Sequence, residues 1–333
     1  MHSKLFVIVL FLCFSFKGTS QTFKGIVLDS ITNKPIETAS VYFDNTTLGV
    51  VTNTKGQFTI SYSNAIKSPL IISFLGYKKQ IITDYRNTNN VTILLKETQE
   101  NLEEVIVNAN DGLTRKQKLR LFRKEFLGSS NFGNSCTILN EKDIIIRYHK
   151  KDKMLTAYAL APIKIKNEAL QYLVNYDLTY FRIYFDKDIF DTKSVTFIGT
   201  SYYQNLKDFN TQKAFKNRKK TYTGSRLEFM RALYSESLED NKYEIFLNNL
   251  KVNPWDFFIV RTKNNSAIKE VSLNEPVEIT YNLIEDSTIE FLVPKILVDL
   301  YGNFTNVTKI RFSGAMGNQR IGELLPFDFG LPD

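Results

Sequence analysis

Between residues 21 and 97 every apolar stretch is short and is closed by a turn-forming residue. Such spacing admits short strands and leaves no room for helices of ordinary length. Phe23, Gly25 and Val27 alternate with Lys24, Ile26 and Leu28. Thr32-Asn33-Lys34-Pro35 then reads as a turn, because Asn favours turn starts and Pro fixes φ. Residues 38–43 form a second strand with Ala39, Val41 and Phe43 on one face, and residues 48–52 a third. Asn53-Thr54-Lys55-Gly56 has hairpin chemistry, since Gly56 tolerates the positive φ that closes the turn. Residues 57–62, 70–74, 77–83 and 91–95 complete the set, and Gly76 allows a sharp bend before the sixth. Seven closely spaced short strands predict an antiparallel sandwich.

The strings Gly25-Ile26-Val27-Leu28-Asp29, Asn33-Lys34-Pro35-Ile36, Ala39-Ser40-Val41, Gly49-Val50-Val51-Thr52-Asn53, Gly56-Gln57-Phe58 and Ser73-Phe74-Leu75-Gly76-Tyr77 follow one another along this stretch. In order and spacing they resemble the carboxypeptidase-like regulatory domain of Bacteroidota envelope proteins. The resemblance implies a transthyretin-like, seven-stranded sandwich. In that family the module precedes the plug and barrel of many TonB-dependent outer-membrane transporters, and it opens many other exported proteins. It implies no peptidase activity, because in carboxypeptidases the module is an accessory to the zinc-bearing domain.

Residues 1–20 predict a secretory signal peptide. Lys4 supplies the positive start, residues 5–14 are uncharged and apolar, and Gly18 and Ser20 lie three before and one before a cut at Gln21. The run falls short of the roughly 20 apolar residues that span a bilayer. Phe11 and Leu12 precede Cys13 where bacterial lipidation needs small residues, so a lipid anchor is not expected. Without these residues the 43 Lys and Arg drop to 41 against 35 Asp and Glu, net +6. That mild excess suits anionic envelope surfaces, and it is not the concentrated footprint of nucleic-acid binding. The expected location is the periplasm or the outer membrane.

Residues 98–112 read as a linker or edge strand. Within it Leu102, Glu103, Glu104, Val105, Ile106 and Val107 resemble the segment that follows the module in the transporters, near the strand that pairs with TonB. They form the candidate interaction segment. A transporter barrel would need over about twenty strands of roughly ten residues, and about 220 residues remain after the join.

Residues 113–333 predict a β-rich α+β domain, so the whole chain is expected to be mainly β. Residues 114–126 form an amphipathic helix with Leu119, Phe122 and Phe126 on one face, Thr114 as N-cap and Gly128 as C-cap. Its six basic residues offer a contact to anionic lipid or lipopolysaccharide at the outer membrane, or else form the solvated face of a helix packed by its aromatic stripe. Residues 143–148, 154–160, 171–185 and 195–198 read as strands. Residues 211–236 read as two helices broken at 221–225, with Ser225 or Thr223 capping the second. Six further strands follow, at 243–246, 257–260, 277–281, 289–292, 295–301 and 308–312. The strings at 123–128, 136–140 and 222–233 resemble exported Bacteroidota proteins of unknown role that carry the same module.

Beyond the leader the chain keeps one cysteine, Cys136, and one histidine, His149. An internal disulfide and zinc sites built from several His or Cys are therefore excluded. A Cys136–His149 dyad is the one thiol–base pairing on offer. Asp186, Asp188 and Asp191 are spaced as in a calcium loop, but the central Gly and terminal Glu are missing. No Gly-x-Ser-x-Gly elbow or phosphate-cradling glycine loop appears. The single Trp255 reads as core. No catalytic, cofactor or metal residue is assigned. The expected role is a non-enzymatic envelope protein that binds or assembles with a protein or envelope partner. The alternatives are a carboxylate-based glycan or peptide hydrolase in the second domain, and a TonB-system accessory docking through residues 102–107.

Overall fold

The computed structural model describes residues 20–63, 67–86, 90–98, 111–189, 191–262 and 267–331. The signal-peptide expectation falls almost wholly outside them. So do Leu102, Glu103, Glu104, Val105, Ile106 and Val107.

The first seven strands are β1 (Ser20–Asp29), β2 (Ser40–Phe43), β3 (Gly49–Val51), β4 (Gln57–Ser63), β5 (Leu70–Ser73), β6 (Gln80–Ile82) and β7 (Val91–Leu95). They form two sheets, β4-β1-β7 and β3-β2-β5-β6, which face each other as a sandwich. Every pairing is antiparallel except β1 with β7. Alternation sets the core: Phe58, Ile60 and Tyr62 of β4 point inward and pack with Phe23, Val27, Phe43 and Tyr85. Gly56 takes φ +70°, and a Cβ there would meet the Val27 carbonyl at 2.5 Å. The turn thus demands the residue that the sequence supplies.

The second group comprises α1 (Arg115–Leu127), α2 (Asn131–Asn134), β8 (Cys136–Ile138), β9 (Ile144–His149), β10 (Met154–Ala159), β11 (Ile163–Asn167), β12 (Tyr172–Phe185) and β13 (Thr192–Asn205). Thr114 caps α1 in a capping box with Gln117. β12 organises the sheet. One edge pairs β13 along its length, while the other pairs β11 at its start and β10 at its end. Phe122 and Phe126 of α1 lie on this sheet, with ring centroids 4.7 Å from Phe181 and 5.2 Å from Tyr176. Leu121 and Leu127 are also buried there, and Leu119 is half-buried.

The third group comprises α3 (Thr211–Tyr222), α4 (Arg226–Tyr234), β14 (Tyr243–Leu247), β15 (Leu250–Val252), β16 (Phe258–Thr262), β17 (Ile268–Leu273), β18 (Val277–Tyr281), β19 (Glu285–Phe291), β20 (Ile296–Asp299), β21 (Ile310–Ser313) and α5 (Gly314–Gly317). Sheets β15-β14-β18-β19-β21 and β16-β17-β20 enclose a core around Phe229, Met230, Leu233, Tyr243 and Phe258. Ser225 caps α4. Trp255 packs half-buried against this core.

Residues 113–331 thus carry two hydrophobic clusters, one under α1 and one under α4. The C-terminal segment joins them to the first sandwich. Met316 lies in the third core, Ile321 and Leu325 in the second, and Phe327 and Leu331 against the first.

Candidate binding cleft

The first sandwich meets the rest of the chain along β13. Between β2 and β3, residues 44–46 run beside the edge of β13 that β12 leaves open. Asn45 N–H donates to the Ser201 carbonyl at 2.7 Å, and Tyr203 N–H to the Thr46 carbonyl at 3.0 Å. Ser201 N–H donates to Asp44 Oδ1 at 2.8 Å. Tyr42 stacks on Tyr202 at 5.4 Å between centroids, and its hydroxyl lies 3.1 Å from Thr200 Oγ1. Lys79 and Asp177 add an ion pair at 2.9 Å. An exposed strand edge is a template for unwanted pairing, and here a loop of the same chain covers part of it. Burial pushes the Asp44 carboxyl up to about 6, against the pull of the Ser201 N–H.

A cleft of about 470 Å³ opens beside this seam. Its walls come from five parts of the chain: Thr47, the start of β12 at Tyr172, the end of β13 at Gln204 and Asn205, Arg218 of α3, and Asp328. The Arg218 guanidinium lies 3.5 Å over the Tyr172 ring and donates to the Leu170 carbonyl and to Asn205 Oδ1. Asp328 accepts from Thr47 N–H at 3.0 Å and from the Thr47 hydroxyl. The lining is polar and aromatic. Among the described residues it holds one carboxylate, with no imidazole and no thiol. Such a surface can orient a polar ligand by hydrogen bonds and ring stacking. The paired acids of a glycosidase are missing from it.

The chemistry offered by the sequence lies elsewhere. Cys136 aligns through Asn167 with Tyr172 at one end of β12, and His149 through Met154 with Tyr184 at the other. Twelve residues of strand separate them, roughly 40 Å at about 3.3 Å per residue, so no dyad forms. The Cys136 thiol donates to the Phe132 carbonyl, and burial pushes it up to about 12, far from a thiolate. His149 Nε2 sits 3.0 Å from Thr156 Oγ1. Asp186, Asp188 and Asp191 belong to the β12–β13 turn, where Asp186 N–H donates to the Asp191 carbonyl. Among the described residues no three His, Cys, Asp or Glu gather as a metal site. The cleft residues were not legible as a site, because Thr47, Tyr172, Arg218 and Asp328 share no motif and meet through the fold alone.

Residues 23–107 match the family model described as CarboxypepD_reg-like domain. That extent runs past the sandwich and takes in residues 102–107. Over 86 residues the chain is 35% identical to the TonB-dependent receptor SusC of Bacteroides thetaiotaomicron, covering 26% of this chain and 8% of that protein. Among solved structures, a type II cohesin–X-dockerin complex from Acetivibrio cellulolyticus matches 22% of this chain and 56% of its own, at 23% identity and a TM-score of 0.19. The N-terminal module is thus a carboxypeptidase regulatory-like domain related to a stretch of a TonB-dependent receptor. The rest of that receptor's length has no counterpart in the match.

Proposed function

We propose that this is an exported envelope protein, in the periplasm or at the outer membrane, whose task is binding or assembly and not catalysis. The observation that carries this reading is the seam. The regulatory-like sandwich is hydrogen-bonded to the β13 edge, and a polar cleft there is walled by both partners. In this reading the sandwich mounts the larger body and completes its binding surface. The kinship with part of a TonB-dependent receptor supports the envelope setting. Among the described residues no helix is long and apolar enough to cross a membrane.

Affinity capture from solubilised envelope fractions tests the proposal. A recurrent partner is expected with the natural chain and lost with Gln204→Arg, which fills the exposed cleft wall with a longer charged side chain. A freely soluble protein without a partner overturns the reading. So does hydrolysis of envelope glycan or peptide that Asp328→Asn abolishes, since that is the one carboxylate among the described residues of the cleft. Deleting residues 102–107 separates the TonB-accessory alternative. Capture lost there, with the melting transition intact, assigns docking to that segment.

A further inference from the structure

The basic residues of α1 are largely engaged within the protein. Arg115 donates to the Ile144 and Glu141 carbonyls at 3.1 and 2.9 Å, and Lys118 pairs with Asp111 at 2.7 Å. Arg123 pairs with Glu141, and Lys124 lies 3.4 Å from Glu125. A lipid contact through α1 therefore has little free charge to work with.

Helix α3 differs. Its inner side buries Ala214 and Thr221, ties Asn217 to the Ala169 carbonyl at 2.8 Å, and ties Arg218 to the Leu170 and Gln171 carbonyls at 2.9 and 3.2 Å. These four positions recur at three- and four-residue spacing, which fixes the opposite side outward. That side carries Lys213, Lys216, Lys219 and Lys220, all exposed, with Phe215 among them at 69% exposure. The helix contains no acid. A second cleft, of about 530 Å³, opens at the start of α3. Leu139, Leu173 and Leu206 wall it, and Lys213 is shared with the helix face. Lys166 and Lys207 also line it, together with Asp208 and with Glu168, which Lys166 holds at 2.8 Å.

We infer that the outward face of α3 docks on a bilayer surface rich in anionic phospholipid. An interfacial helix needs a cationic face and an apolar residue that enters the headgroup boundary. The four lysines supply the first and Phe215 the second, and the leucine-walled cleft gives an apolar group room beside them. Anionic charge complements a helix face that has no acid of its own. The envelope reading supplies the setting, but vesicle binding needs no protein partner, so either can fail while the other stands.

The test is co-sedimentation of the purified exported protein with vesicles of phosphatidylcholine containing about one-quarter phosphatidylglycerol, against phosphatidylcholine alone. Binding is expected to the anionic vesicles and to fall steeply with added salt. Each lysine near the surface contributes about fivefold, so K216Q/K219Q/K220Q should weaken binding roughly a hundredfold. Phe215→Ser should cost about tenfold more from the apolar side. Lys116→Gln, at an exposed position of α1, should change binding by less than about twofold. All variants share the natural N-terminus, so any contribution from it cancels. Equal binding to neutral vesicles, salt-independent binding, or unchanged affinity in folded K216Q/K219Q/K220Q and Phe215→Ser overturns the inference. So does binding confined to lipopolysaccharide or to an acidic protein. The salt dependence of the natural chain decides the matter even if a variant fails to fold.

Discussion

Arg231 shows how much one residue can hold in this chain. From α4 its guanidinium donates to the Tyr301 carbonyl at 3.2 Å and to the Phe329 and Phe327 carbonyls at 2.8 Å each. It is 9% exposed, so water cannot replace those bonds. Arg231→Lys keeps the charge but loses the planar fork. It should lower unfolding free energy by about 2–3 kcal/mol in urea titration. Gly49 controls the seam in a different way. A Cβ there would meet the Tyr202 ring at 2.5 Å, and the Tyr202 hydroxyl donates to the Gly49 carbonyl. Gly49→Val should push Tyr202 off Tyr42 and raise amide exchange at residues 201–203, while the core of the sandwich stays protected. Neither role was legible in the sequence, because each partner lies far along the chain. The caps Thr114 and Ser225 and the turn glycine Gly56 were legible, since each acts within a few residues.

At the scale of elements, the short strands closed by turn residues in the first sandwich and the long patterned segments were legible, and several short strands after residue 135 were not. Residues 171–185 read as one strand, and β12 is one strand, yet its inward face could not be read from the pattern. Tyr172, Val174, Tyr176 and Leu178 are buried, then Phe181, Ile183 and Phe185. The parity switches because the register with β13 shifts between Leu178 and Tyr180. Two residues there oppose one, which keeps both halves facing the same core. The partner at the shift is Gly199, where a Cβ would lie 2.4 Å from the Asp177 carbonyl and from the Tyr176 ring. Gly199→Ala should therefore cost about 2–3 kcal/mol, read as a lower melting temperature. An unchanged melting curve would show that the bulge tolerates the methyl group. The strands β8, β11, β15 and β17 were not expected from the sequence. Each is three to six residues long and is defined by the strands beside it. β13 was expected at residues 195–198 and runs on to Asn205, where its outer edge meets the sandwich.

At the scale of the whole molecule, buried carboxyls couple the assembly to pH. Burial raises Asp44 at the seam to about 6, and it does the same to Asp299, whose carboxylate accepts from Tyr301 N–H at 2.9 Å. Lys79 and Asp177 act on Asp44 in opposite senses, and Lys67 draws Asp299 back down. Between the ordinary 3.8 and about 6 the folded protein keeps protons that the unfolded chain has released. The folded state then binds more protons, so stability falls as pH rises through that window. A shift of about two units is worth at most roughly 3 kcal/mol per group. Asp29 works the other way. The Thr32 backbone N–H, then its hydroxyl, hold that carboxyl down at about 2. Its contribution is present above 3.8 and is lost as pH falls toward about 2. Asp44 and Asp299 should therefore lower stability as pH rises from about 4 through about 6. Denaturant titrations across that range measure the slope. Asp44→Asn keeps an acceptor for Ser201 N–H and removes the charge. It should flatten the decline and leave the protein more stable than the natural chain at neutral pH. A natural chain whose stability stays level or rises from about pH 4 to about pH 7 would mean that Asp44 and Asp299 reach solvent when ionised, and the seam would then carry no pH dependence.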